Sequence, residues 1–184
     1  YQSVFTGSPH ICVYNIVDDK LSRLKMYEPV EHVWFDCKNV PVLVAAGRLA
    51  AWKGFGDLIH AMKILTQSRP ARLLILGDGP LRTELQNLIN NLDLSDVVSL
   101  MGYVENPLKY FARADVFVLS SHVEGLPNVL LESLALKKYI ISTDCLTGPK
   151  EILAKTTLLS YGITAHAAKA IAIVYTGANK NKVR

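Results

Sequence analysis

Five short, nearly unbroken apolar runs alternate along this 184-residue chain with segments of helical spacing, and that alternation leaves few folds open. Val42-Leu43-Val44-Ala45-Ala46 is apolar at every position, so a strand formed there has two faces to bury. That is the pattern of a parallel sheet's interior, not of a sheet wetted on one side. Gly47 closes the run. Phe55, Leu58, Ile59, Met62 and Leu65 then recur at helical spacing as far as Pro70. Further strands are expected at Arg72–Leu76, Val97–Leu100, Asp115–Leu119 and Tyr139–Ser142. Helices are expected over Leu81–Leu92, Pro107–Arg113 and Val129–Leu136. Repeated βαβ units of this kind predict a Rossmann-like, doubly wound α/β domain, whose ligand sits beyond the carboxyl ends of the strands.

Composition and charge agree with such a domain. Half the residues are hydrophobic and a fifth are charged, and no eighteen-residue apolar run appears. Five of the 20 basic residues fall in the acid-free stretch Ile152–Arg184, which leaves 15 bases against 16 acids elsewhere. A near-neutral domain with a basic tail is not a nucleic-acid binder. Cys12, Cys37 and Cys145 lie far apart and read as reduced thiols. The scattered histidines (His10, His32, His60, His122, His166) offer no metal-ligand spacing. The opening Tyr1-Gln2-Ser3 has neither a signal peptide nor an initiator Met and reads as a cut through a longer chain.

Four loops that follow strands carry the candidate chemistry. Gly47-Arg48-Leu49-Ala50-Ala51-Trp52-Lys53-Gly54 places two cations near a helix start. There they oppose the helix dipole unless an anion lies between them. Arg48 can fork onto two phosphate oxygens, and Lys53 supplies a point charge. Gly77-Asp78-Gly79-Pro80 resembles a phosphate loop but reads better as a tight turn with Pro80 at the first helical position. Gly102-Tyr103-Val104-Glu105-Asn106-Pro107 has backbone groups suited to a base. The fourth, Ser120–Glu132, puts Glu124 in the loop before a helix and Glu132 inside it. Pro127 sits in the first turn, and the N–H groups of Asn128, Val129 and Leu130 are expected to face an anion. Glu132 either meets a partner or lies on a polar face beside Ser133.

Together these residues resemble the retaining family 4 glycosyltransferases of the two-Rossmann (GT-B) fold. The marker is Glu-Gly-Leu-Pro-Asn-Val-Leu-Leu-Glu, Glu124 to Glu132. It stands in order with Gly47-Arg48…Lys53-Gly54, Gly77-Asp78-Gly79-Pro80, Gly102-Tyr103 and Ser142-Thr143-Asp144-Cys145…Gly148-Pro149-Lys150-Glu151. Tyr14-Asn15…Glu28-Pro29-Val30 and Trp34-Phe35 look like a subgroup that builds bacterial surface polysaccharides. The resemblance implies the C-terminal, donor-binding half of such an enzyme. Residues 1–40 would be the exit segment of an acceptor-binding domain, residues 41–176 the nucleotide-sugar domain and residues 177–184 a basic tail.

The resemblance also implies roles. Arg48, Lys53 and Glu124 would be the catalytic set, the two cations neutralising the donor diphosphate without a metal and Glu124 touching the transferred sugar. Glu132 would hold the ribose hydroxyls, and Tyr103 and Val104 the base, uracil by expectation. Gly47, Gly77 and the helix start Gly125-Leu126-Pro127-Asn128-Val129-Leu130 would line the nucleotide-sugar site. The nucleotide sugar is a substrate, and no cofactor is implied. The acceptor, a saccharide or a lipid-linked sugar, would bind through the missing half. The expected location is the cytoplasm, and the basic tail admits peripheral contact with the inner membrane face.

Past Leu153 the match fades. Thr157-Leu158-Leu159-Ser160 stands where a strand is expected and Thr164–Tyr175 where a helix is, so the chain is either truncated or a diverged reading frame. A non-catalytic nucleotide-binding module serving a separate acceptor subunit is the alternative reading. A nucleotide-sugar epimerase or dehydrogenase would need a G-x-G-x-x-G turn after the first strand, and Gly47-Arg48-Leu49 is not one.

Overall fold

In the computed structural model, residues 20, 24–36, 39–145, 148–149, 152–153 and 173–175 are described, the last three by backbone alone. The expected features at Cys12, Cys37, His10, His166, Ile11–Tyr14, Thr157–Ser160 and the tail 177–184 lie outside the described residues.

The apolar runs form strands β1 (Val42–Ala46), β2 (Arg72–Leu76), β3 (Val98–Gly102), β4 (Val116–Leu119) and β5 (Tyr139–Thr143), with a short β6 at Ile173–Tyr175. All pair in parallel, in the order β3-β2-β1-β4-β5-β6. Helices α1 (Phe55–Thr66), α2 (Arg82–Asn91), α3 (Leu108–Arg113) and α4 (Asn128–Ala135) connect them. The side-chain period of two in β1 shows why the run had to be unbroken. Val42, Val44 and Ala46 enter one core with Phe111 of α3 and Leu130 and Leu134 of α4. Leu43 and Ala45 enter a second core with Phe55, Leu58, Ile59 and Met62 of α1 and Leu85 and Ile89 of α2.

The two cores lie on opposite faces of the sheet. From β1 the chain winds outward through α1 and β2 to β3, then returns past β1 to β4 and winds the other way. Right-handed crossovers in opposite directions put their helices on opposite faces, and a crevice opens between β1 and β4 where the direction reverses.

Three expectations need correction. The third strand is shifted to Val98–Gly102, because Gly102 rather than a solvent turn meets Leu76 across a register shift in β2. Pro80 is not the first helical residue, since α2 starts at Arg82 and Leu81 precedes it. The helix expected over Thr164–Tyr175 does not reach its end, where Ile173, Val174 and Tyr175 pair along β5 as a strand. Branched and aromatic residues fit a pleated edge better than a helix.

Asp115 stands outside β4 for a local reason. Its carboxylate accepts the Val42 N–H at 2.7 Å while its own N–H donates to the Val42 carbonyl, a side-chain bond taking the place of ladder pairing. Lys138 reaches back to donate to the Ala112 and Ala114 carbonyls, where the last turn of α3 leaves acceptors open. Part of the entering segment also packs on the domain. Val30, Trp34 and Phe35 join the α3/α4 core, and the Arg72 guanidinium lies 5.5 Å from the Trp34 ring.

Candidate functional site

The loop after β1 and the loop after β4 meet at the carboxyl end of the crevice, and hydrogen bonds sew them together. Ala51–Lys53 forms a 3-10 turn ended by Gly54, which is left-handed at φ 63° and also starts α1. Across the crevice the His122 N–H donates to the Trp52 carbonyl at 2.8 Å, and the Ser120 hydroxyl donates to the Lys53 carbonyl at 2.9 Å. Gly54 lies directly under the Ser120 carbonyl, leaving no room for a Cβ.

That seam brings together two of the three residues expected to be catalytic. Lys53 Nζ donates to Glu124 Oε1 at 2.6 Å, and the Ser121 hydroxyl donates to the same oxygen at 2.6 Å. Glu124 is 9% exposed and the Lys53 side chain 18%, so the pair is shielded from bulk water. Gly47 makes space for the lysine, whose stem lies 3.4 Å from where a Cβ at 47 would sit. Arg48 stands exposed on the same loop, five residues before Lys53. The carboxylate of Asp57 and Nε2 of His122 lie 3.1 Å apart on the rim, both exposed.

The remaining expected residues divide. The glycine turn after β2 is spent on packing. Gly77 N–H donates to Gly102 O at 2.7 Å, its Cα rests on the Gly47 carbonyl, and Gly79 lies against the Leu49 backbone. Tight backbone approach therefore accounts for both glycines. Tyr103 is exposed on the next loop, Val104 is partly buried against the α3/α4 core, and buried Asn106 ties the loop to the Lys25 carbonyl at 2.9 Å. At the start of α4, Pro127 is buried, Gly125 and Asn128 are exposed, and Leu126 and Val129 are partly buried.

Leu130 departs from expectation. Its side chain is fully buried and its N–H donates to the Pro127 carbonyl at 3.1 Å, so that amide is not offered to an anion. Ser133 departs as well, being buried with its hydroxyl on the Val129 carbonyl, so no polar face exists beside it for Glu132 to share.

Glu132 is half-buried among α4 and the entering segment. Burial pushes its carboxyl above the usual range, and Lys25 pulls the other way. A carboxyl raised in the fold favours folding most below its unfolded value and loses that contribution as pH rises through the folded value. Glu132→Gln is therefore expected to raise stability at neutral pH and to flatten the stability profile above the carboxylate range, measured by urea unfolding across pH.

Ser121, Thr143, Cys145 and Gly148 have no role in the sequence reading beyond the motif they stand in. Yet Thr143 Oγ1 and Cys145 Sγ both donate to the Ser121 carbonyl, and Gly148 lies under the Gly125 carbonyl and against Pro127. Among the described residues no cluster of three or more His, Cys, Asp or Glu side chains could hold a metal ion. No described helix is long and apolar enough to cross a membrane.

With this geometry in place, comparison with known proteins is decisive for family. Residues 35–177 match the family described as Glycosyl transferases group 1. The chain belongs to that family. An uncharacterized glycosyltransferase of Methanocaldococcus jannaschii is 46% identical over 143 residues, 77% of this chain and 34% of that protein. The N-acetylgalactosamine-N,N'-diacetylbacillosaminyl-diphospho-undecaprenol 4-alpha-N-acetylgalactosaminyltransferase of Campylobacter jejuni is 35% identical over 150 residues, 80% of this chain and 39% of its own length. The chain thus spans under two fifths of these relatives. Among solved structures, a mutant of TarM from S. aureus in complex with Fondaparinux, alpha-GlcNAc-glycerol and UDP superposes with a TM-score of 0.66 at 19% identity. The match covers 82% of this chain and 29% of TarM. The Rossmann-like fold is accordingly that of GT-B glycosyltransferases.

Proposed function

We propose that this chain is the donor-binding half of a retaining, metal-independent glycosyltransferase that draws its sugar from a nucleoside diphosphate, UDP first among them. The observation that carries the reading is the meeting of Lys53, Glu124 and Ser121 at the topological switch point, with exposed Arg48 on the same loop as Lys53. UDP in the TarM complex supports uridine as the nucleoside. The diphospho-undecaprenol in the name of the C. jejuni relative supports a lipid-linked saccharide as acceptor, bound by a further domain on the cytoplasmic side of a membrane.

The chemistry follows from where charge develops. As the bond between sugar and phosphate loosens, positive charge spreads over the anomeric centre and negative charge grows on the leaving diphosphate. Fixed cations stabilise that charge more strongly than they stabilise the intact donor. Lys53 has three N–H donors, so it can hold Glu124 with one and face phosphate with another. Arg48 reaches the same phosphates from the exposed side. Glu124, held by Lys53 and Ser121, accepts from hydroxyls of the departing sugar, and Glu132 accepts from the ribose. The acceptor attacks from the face the diphosphate leaves, and a phosphate oxygen takes its proton, so no side-chain nucleophile is required.

Calorimetric titration of the chain with UDP in the presence of chelator tests this. Binding is expected without metal, and Arg48→Ala and Glu132→Ala are each expected to weaken it by about tenfold or more, the worth of a hydrogen bond to a charged group. A folded chain that ignores UDP, or that binds it only with a divalent ion, would overturn the proposal. The chain alone is expected to bind donor without appreciable transfer. Robust transfer by these 184 residues would show that the acceptor site lies within them.

A further inference from the structure

The carbonyl of Ser121 lies beyond the end of β4, where the ladder to β5 has already stopped at Leu119 and Ser142. Ser121 is 1% exposed, so this carbonyl has to be satisfied by protein. Two side chains from the adjoining end of β5 do so. Thr143 Oγ1 donates to it while lying 3.3 Å from the Leu119 carbonyl, and Cys145 Sγ donates at 3.1 Å from a site only 3% exposed. The two donors stand 3.6 Å apart, and the Cys145 N–H is bonded to the Thr143 carbonyl at 3.0 Å, which keeps them side by side. The hydroxyl of the same Ser121 meanwhile donates to Glu124 Oε1 at 2.6 Å. A chain of contacts therefore runs from the end of β5 through one residue to the Glu124 carboxylate.

We propose that Thr143 and Cys145 are positioning residues that clamp the Ser121 carbonyl, fix the direction in which Glu124 faces the transferred sugar, and so govern how strongly the sugar, rather than the nucleotide, is held. The proposal rests on the reading of Glu124 as the sugar contact. Its physical basis is selectivity. Loss of either donor frees the backbone of Ser121 to turn, which moves the Ser121 hydroxyl and the carboxylate it holds. Arg48 and Tyr103 sit on other loops and Glu132 inside α4, so their positions do not depend on this clamp. A donor that is half buried orients its acceptor more firmly than one exchanging with water.

The test is calorimetric titration of the full chain with UDP and with a panel of UDP-hexoses and UDP-N-acetylhexosamines. The sugar contribution is the ratio of affinity for the tightest UDP-sugar to that for UDP. Thr143→Val, which keeps the shape and removes the donor, is expected to cut that ratio about tenfold while leaving UDP affinity within about twofold. Thr143→Ser is expected to restore the ratio. Cys145→Ala, which spares the Thr143 bond, is expected to cut the ratio in the same direction and carries the test if Thr143→Val does not fold.

Variants that weaken UDP and UDP-sugars by one common factor, or that leave both unchanged, would overturn the clamp. A wild-type chain that binds UDP yet gains nothing from any sugar would overturn it too, by removing Glu124 as a sugar contact. A wild-type chain that binds no UDP at all would overturn the donor-binding reading itself, and that failure shows before any variant is made.

Discussion

Lys53→Ala is expected to cost this domain about 3 kcal/mol of folding stability and to abolish measurable donor binding, because it removes the ammonium 2.6 Å from the Glu124 carboxylate at a nearly dry site. Glu124 is 9% exposed and would keep one of its two named donors, the Ser121 hydroxyl. Removing one member of a shielded ion pair leaves the other charge desolvated without its counter-charge, which costs far more than the pair itself contributes. The double variant Lys53→Met with Glu124→Leu separates the two effects. Replacing both charges by apolar groups of similar volume is expected to recover most of the stability, since such exchanges are often neutral or better. Binding is expected to stay lost, because neither the phosphate cation nor the sugar acceptor is restored. Urea unfolding and UDP titration of the three proteins check both halves. A double variant that regains binding would show that the pair serves the fold and not the donor.

Gly54→Ala is expected to be nearly as damaging, by about 3 kcal/mol, although it adds only one methyl group. A left-handed backbone costs an alanine about 1–2 kcal/mol. The new Cβ would overlap the Ser120 carbonyl oxygen, and forcing extra volume into a packed seam costs about 1–3 kcal/mol more. For a chain of this length that corresponds to a fall of roughly 10 °C in Tm. The displaced Ser120 would also open the seam between the two loops and loosen the Lys53–Glu124 contact. Gly56→Ala is the control. It lies two residues on, in α1, with nothing within 4 Å of the added Cβ, and is expected to be neutral or to stabilise by about 0.5–1 kcal/mol through the unfolded state. Thermal unfolding of both variants would overturn the argument if Gly54→Ala proved as mild as Gly56→Ala.

These expectations come from a site that was only partly legible in the residues. Lys53 and Glu124 were both identifiable, one as a cation at a helix start and the other as a carboxylate in the loop before α4. Their separate roles toward phosphate and sugar did not disclose that they touch. Glu132 was ambiguous between solvent and a partner, and burial with Lys25 nearby decided for neither a polar face nor a fixed bond. Leu130 was misassigned because an N–H near a helix start reads as open until the Pro127 carbonyl is found beneath it. Cys145 was set aside as an ordinary thiol because a lone cysteine carries no spacing signal, and its bond to Ser121 spans 24 positions.

The sequence by itself determined the class of fold, its parallel sheet and the loops where chemistry had to lie. Those follow from short-range regularities: β1 is apolar at every position because both its faces are covered, and α1 repeats at helical spacing because only one of its faces is. Only the tertiary structure decided which loops meet. Lys53 and Glu124 stand 71 positions apart, and they touch because the chain passes from β3 back across β1 to place β4 beside it. Gly54 had to be glycine because of Ser120, and Gly148 because of Gly125, contacts between backbones that share no local pattern. Spacing along the chain encodes an element and the face it buries. The partner across a crevice depends on strand order, which no local spacing records.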